Sequence, residues 1–178
     1  MQGVDQRVEL VVLLDESGRS IGTAPKLTMH DAHTALHLAF SVYVFNERGE
    51  VLVTRRALGK RTWPGVWTNS FCGHPLPGES QQDAIARRGW HELGLELDDP
   101  TVTLPLFRYR ATDASGIVEN EICPVYRATT HAEPVPNPDE VAEYVWTDPA
   151  TLRASALSSP WAFSPWMVLQ LKELRFDA

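Results

Sequence analysis

The stretch Leu36–Phe45, LHLAFSVYVF, constrains this chain most. Its side chains alternate cleanly. Leu36, Leu38, Phe40, Val42 and Val44 share one face, and His37, Ala39, Ser41, Tyr43 and Phe45 share the other. Ten such residues predict a strand, and Asn46–Glu50 (NERGE) reads as a hairpin loop into a second strand, Val51–Arg56. Further strands are expected over Val8–Leu14, Trp67–Phe71, Thr101–Arg110, Ile117–Ala128 and Val141–Trp146, with a loop over the proline-rich His131–Asp139. Ser80 with Asp83 resembles a capping box, so a helix should run to Leu93 and end at Gly94. On it Ile85, Gly89 and Leu93 fall on one face, and Ala84, Arg88 and Glu92 on another. Ser164 as N-cap with Pro165 at the first helical position predicts a C-terminal helix to about Leu174. Strands interrupted by helices without regular βα alternation indicate an α+β class, a mixed sheet packed with helices. With no repeats or composition breaks, residues 1–178 read as a single domain.

The 178 residues carry a net charge of -7, which argues against broad nucleic-acid binding and against an anionic membrane surface. No apolar run approaches the roughly 20 residues of a membrane span. The N-terminal MQGVDQRVE lacks a basic region leading into an apolar stretch, so no signal peptide is expected. Two cysteines, Cys72 and Cys123, are too few for a disulfide framework. The expectation is a cytoplasmic protein, monomeric or weakly homo-oligomeric.

Four constellations could carry chemistry. Glu119 and Glu121 are two apart in a strand, so both carboxylates project to one face. A solvated edge would present the same pair, but Cys123 and Val125 follow on that face and turn it inward. His30, His37 and His74 with these carboxylates would make a mixed N/O set for Mn, a Mg-like ion or Zn, although their spacing is non-local. Arg55, Arg56, Lys60 and Arg61 put four cations in seven residues, either a solvated loop or an anion site. Cys72, beside Gly73 and His74, is either a buried inert thiol or a positioned acid or base.

The segment Gly73-x5-Glu79-x7-Arg87-Arg88-Gly89-Trp90-His91-Glu92-Leu93-Gly94-Leu95 resembles the Nudix box, the loop–helix–loop GX5EX7REUXEEXGU that holds metal and diphosphate. Gly73, Glu79, Arg87, Glu92, Gly94 and Leu95 match the pattern. Arg88 and His91 replace two glutamates that in the family bind hydrolytic metals, and Gly89 replaces an aliphatic residue. LHLAFSVYVFN, VLVTRRALGKRTWPGVWTNSFCGHP, FRYRATDASGIVENEICPVY and WAFSPWMV are similar to the type I isopentenyl-diphosphate isomerases, a branch of that superfamily. The likeness runs from about Val8 to Leu171, with TNSFCGHP and ENE its most specific motifs.

The resemblance implies a Nudix-like mixed sheet between helices and a prenyl diphosphate substrate. It implies reversible conversion of isopentenyl to dimethylallyl diphosphate by protonation and deprotonation through a tertiary carbocation. Cys72 and Glu121 match the family's catalytic pair, with Glu121 as donor and Cys72 as base in the forward direction. Tyr109 matches the phenol that hydrogen-bonds the acidic carboxyl, and Trp166 the aromatic facing the hydrocarbon. Lys26, Arg56, Lys60 and Arg88 match the diphosphate-binding cations. His30, His37, His74, Glu119 and Glu121 match the metal site, implied to hold Mn2+, Mg2+ or Zn2+. Glu92, with Cys72 nearby, matches the place of a Mg2+ carried with the substrate diphosphate.

Overall fold

The computed structural model describes residues 9–176. The start of the expected first strand, Val8, and the N-terminal segment read for a leader lie outside them. In chain order the strands and helices are β1 (Leu10–Leu14), β2 (Ser20–Pro25), α1 (Lys26–Met29), β3 (His37–Leu38), β4 (Phe40–Phe45), β5 (Val51–Arg56), β6 (Trp67–Thr68), β7 (Phe71–Gly73), α2 (Gln81–Leu93), β8 (Asp98–Leu104), β9 (Arg108–Thr112), β10 (Val118–Ile122), β11 (Val125–Thr129), β12 (Val141–Thr147), α3 (Pro149–Ser158) and α4 (Pro165–Glu173).

Two mixed sheets result. One has the order β2-β1-β3-β10-β9, the other β12-β5-β4-β11-β8, with β6 paired to β5 and β7 to β4. The expected strand Leu36–Phe45 is thus two strands. It leaves one sheet after Leu38 and enters the other at Phe40, with Ala39 N–H donating to Ile122 O at 3.0 Å across the junction. The expected strand Ile117–Ala128 divides in the same way at Cys123–Pro124, where proline has no N–H for a ladder. Thr101–Arg110 divides between β8 and β9 around Pro105. Each division passes the chain between sheets and places their junction under the ENE segment. The edge strand β2 and the helices α1 and α3 were not anticipated; β2 is exposed and rich in small residues, and carries no alternation to read.

All six residues of β4 are buried. Phe40, Val42 and Val44 pack with Ile85 and Leu93 of α2, whereas Tyr43 and Phe45 pack with Met167 and Leu171 of α4. The sheet is therefore covered by helices on both faces, as the sequence suggested. Ser80 Oγ caps α2 by accepting from Asp83 N–H at 3.1 Å, and Gly94 closes it with φ 61°. Ser164 stands at the N-cap of α4 but does not cap it; its hydroxyl lies 2.8 Å from Thr68 Oγ1 instead. No described helix is long and apolar enough to cross a membrane.

Candidate active site

The divided strands build the floor of the site. Glu121 pairs with His37 in the parallel β10–β3 ladder and with Tyr109 in the antiparallel β10–β9 ladder. Directly paired residues project to the same face of a sheet, so one strand position brings a carboxylate, an imidazole and a phenol together. Glu119, two residues earlier, projects with them. His30 arrives from the end of α1 and His74 from the loop after β7.

These five side chains crowd closely. His30 Nε2 lies 3.2 Å from Glu119 Oε2; His37 Nε2 lies 3.4 Å from Glu121 Oε1; His74 Nε2 lies 3.1 Å from Glu121 Oε1. The three imidazole centroids are 5.1–5.9 Å apart. Their second nitrogens are partly committed: His30 Nδ1 is 3.1 Å from Lys26 O and His37 Nδ1 is 2.9 Å from Ala35 O. A backbone carbonyl can only accept, so those Nδ1 atoms carry protons, and in the neutral ring Nε2 keeps its lone pair. His30 Nε2, His37 Nε2 and Glu119 Oε2 are buried without a hydrogen-bond partner. Buried orphans of this kind are costly, and His30, His37 and His74, like His37, Glu119 and Glu121, lie close enough to hold one ion between them. The residues thus fit a divalent ion.

The field of the site follows. Burial opposes ionisation of Glu121, but His37 and His74 outweigh it and hold its carboxyl below the usual range. Burial likewise works against charge on His37, but Glu121 and Glu119 raise its pKa. His74 is lowered to about 4, mainly by burial and against the pull of Glu121. A neutral imidazole is the form that ligates metal.

Cys72 is partly buried. Ser41 Oγ lies 3.2 Å from its sulfur, and Asn69 Nδ2 donates to it at 3.3 Å. Burial pushes its thiol up to about 12 against those two contacts. Asn69 and its neighbours also explain the TNS segment. β4 and β5 pair only at Phe45 and Val51 and then diverge, with residues 67–73 between them. Ser70 Oγ donates to Leu52 O and accepts from Val44 N–H, and Thr54 Oγ1 reaches Asn69 O and Ser70 O. This ties the split and aims Cys72 at the cavity.

The box supplies the other wall. Glu79 receives Arg87 in a bidentate pair, Nε and Nη2 both at 2.8 Å, and accepts from Leu76 N–H; Arg87 Nη2 also donates to His74 O at 3.1 Å. That clamp fixes the loop bearing His74. A Cβ at Gly73 would stand 2.7 Å from Phe40 Cζ and 2.8 Å from Arg88 Cγ, so only glycine fits there. Arg88 and Glu92 form a buried i,i+4 pair, while Ile85, Gly89 and Leu93 face the core.

A cavity of about 390 Å3 joins these parts, a volume suited to a small ligand. Every side chain matched to the family's catalytic, diphosphate and metal positions lines it except His37, which is fully buried. Lys26 pairs with Glu9 at 2.9 Å, Lys60 with Glu140, and Arg88 with Glu92 and Glu140. Arg56 donates to Thr62 O and Trp63 O and lies 5.3 Å over the Trp166 ring, whose Nε1–H donates to Asn69 Oδ1 at 3.0 Å. Tyr109 faces the cavity opposite Glu121, but its hydroxyl forms no hydrogen bond to that carboxylate. Arg55 turns away to Gly65 O and Glu143. Glu9 and Glu140 also line the cavity and were missed; neither has a neighbour in sequence that marks it as part of a site.

Comparisons with known proteins agree with this geometry. A family model described as NUDIX domain matches residues 35–167. The chain is 63% identical to the isopentenyl-diphosphate Delta-isomerase of Agromyces mediolanus over 94% of this chain and 82% of that one. It is 54% identical to the protein of that name from Klebsiella pneumoniae subsp. pneumoniae, covering 91% and 88%. In fold it is similar to DR0079 of Deinococcus radiodurans, with TM-score 0.71, 19% identity and coverage of 93% and 98%. It is also similar to the MutT protein of Methanosarcina mazei Go1, with TM-score 0.60, 21% identity and coverage of 78% and 91%. Fold, box and ENE face converge on one assignment: the chain belongs to the Nudix superfamily and, within it, to the isopentenyl-diphosphate Delta-isomerases.

Proposed function

We propose that the chain, working as one domain, interconverts isopentenyl and dimethylallyl diphosphate with Cys72 and Glu121 as its proton-handling pair. The observation that carries this is their convergence on one cavity that Lys26, Arg56, Lys60 and Arg88 also line. Protonation of C4 makes a tertiary cation at C3, and loss of a proton from C2 completes the double-bond shift. In the forward direction Glu121 donates and Cys72 accepts. The reverse direction starts with the thiol protonated and the carboxylate charged, the distribution that burial of Cys72 and the imidazoles beside Glu121 favour in the metal-free chain.

The remaining residues hold the substrate and protect the cation. Lys26, Arg56, Lys60 and Arg88 bind the diphosphate. Trp166, only 4% exposed, walls the hydrocarbon and keeps water from the carbocation. Its π face can stabilise that charge by about 0.5–2 kcal/mol. Tyr109 is placed to hydrogen-bond Glu121 when that carboxyl moves. His30, His37, His74, Glu119 and Glu121 would hold Mn2+, Mg2+ or Zn2+, which would fix the Glu121 carboxylate and tune its acidity. Glu92, bonded to Arg88 through Oε1, has Oε2 available for the Mg2+ of a substrate diphosphate near Cys72.

Turnover in heavy water tests the reading. Deuterium should enter a methyl group of dimethylallyl diphosphate. Release of phosphate without isomer, the outcome for a hydrolase, would overturn it. Arg88 and His91 argue against hydrolysis, because they occupy positions where the box otherwise carries carboxylates.

A further inference from the structure

Glu140 ends the proline-rich loop before β12, a segment used by neither the box nor the proton-transfer pair. Its side chain is 15% exposed and lines the cavity. It accepts from Lys60 Nζ, and its Oε1 lies 3.3 Å from Arg88 Nη2 and 3.4 Å from His91 Nε2. Lys60 comes from the loop after β5, and Arg88 and His91 from α2. The Glu140 backbone joins the same two parts. Its carbonyl accepts from Ala57 N–H at 3.0 Å, and its loop is tied to the end of α2 by Val135 N–H to Leu93 O and Asn137 N–H to Glu92 O.

A carboxylate inside an anion site repels the anion, so its presence there needs a cause. Without it, Lys60 and Arg88 would repel one another and Lys60, on a flexible stem, would spread over many rotamers. We infer that Glu140 is a positioning residue that holds Lys60 and Arg88 at a fixed separation to receive a diphosphate. The inference rests on the diphosphate-binding role given above to those two cations. Lys60 has three donors and Arg88 five, so each can keep Glu140 and still reach a phosphate oxygen. Ordering two side chains before binding removes that cost from the binding step.

Kinetics of the metal-loaded enzyme and calorimetry with inorganic pyrophosphate test this in Glu140→Ala and Glu140→Gln. The alanine variant should raise KM and the pyrophosphate Kd about tenfold while kcat stays within about twofold. The glutamine variant keeps an acceptor oxygen and should recover most of that loss. Unchanged or tighter pyrophosphate binding in Glu140→Ala would show that the carboxylate only opposes the anion. A lower kcat with unchanged pyrophosphate affinity would equally overturn the inference. If the wild type failed to isomerise, the functional reading would fall, while pyrophosphate affinity would still decide the role of Glu140.

Discussion

The two ends of the cavity are built on opposite principles. At the ENE end, three imidazoles and two carboxylates converge with four buried polar atoms left unpaired. At the diphosphate end, each cation is already engaged, Lys26 by Glu9, Lys60 by Glu140, Arg88 by Glu92 and Glu140, and Arg56 by backbone carbonyls. The first end offers donors that an ion could satisfy. The second sets three carboxylates against four cations and must exchange or share partners when an anion binds. An unmet donor set selects a resident cofactor, whereas a compensated set suits a substrate that comes and goes.

The largest test lies between the ends. Cys72→Ala should lower turnover by about 10²–10⁴-fold or more, the range for a lost proton-transfer group. Thermal midpoint and metal content should stay near wild type, and turnover close to wild type would remove Cys72 from the mechanism. The ENE end is probed next. His37→Ala, at a fully buried position, should cost both metal content and stability, read by elemental analysis and thermal unfolding with and without added ion. Full activity in chelator with no metal present would remove the proposed centre.

Arg88→Ala probes the compensated end. It strands Glu92 and leaves Glu140 to Lys60, and breaking a buried pair costs about 3–5 kcal/mol. Thermal unfolding should report that loss, and KM should rise in the same variant while metal content at the ENE end is kept. Acid unfolding reads the compensated end directly. Despite burial, Lys60 and Arg88 depress Glu140 to about 2 from an ordinary 4.5. The unfolded state therefore binds the proton first, so this contribution is complete above about pH 4.5 and fades as pH falls toward 2. Glu140→Gln should flatten that part of the stability profile, measured by denaturant unfolding across the range; an unchanged slope would refute the coupling. The smallest effect is expected for Ser80→Ala, which removes the α2 cap at about 1 kcal/mol. It should loosen the diphosphate end and leave metal affinity untouched.

The ENE end was more legible in the sequence than its counterpart. Strand periodicity alone put Glu119 and Glu121 on one face, and helix periodicity put Arg88 beside Glu92. The spacing from Gly73 to Leu95 marked the box, although not the Glu79–Arg87 clamp that makes its spacing matter. The strand breaks at Ala39 and Cys123–Pro124 escaped notice because alternation continues through them; what changes is the pairing partner. Glu9 and Glu140 escaped for a related reason. Each acts on a cation 17 or 80 residues away, and no local pattern encodes such a pairing.

By itself the sequence determined which side chains share a face, where α2 begins and ends, and which residue types are available for the proposed proton transfer and metal binding. Those properties depend on backbone periodicity and capping, which act over a few residues. Only the tertiary structure decided that His30, His37 and His74 meet, that β10 lies between His37 and Tyr109, and that Lys26, Lys60 and Arg88 pair with the distant Glu9 and Glu140. Those contacts depend on strands changing sheets and on loops crossing between elements, and burial gives them their energetic weight only once the chain has closed.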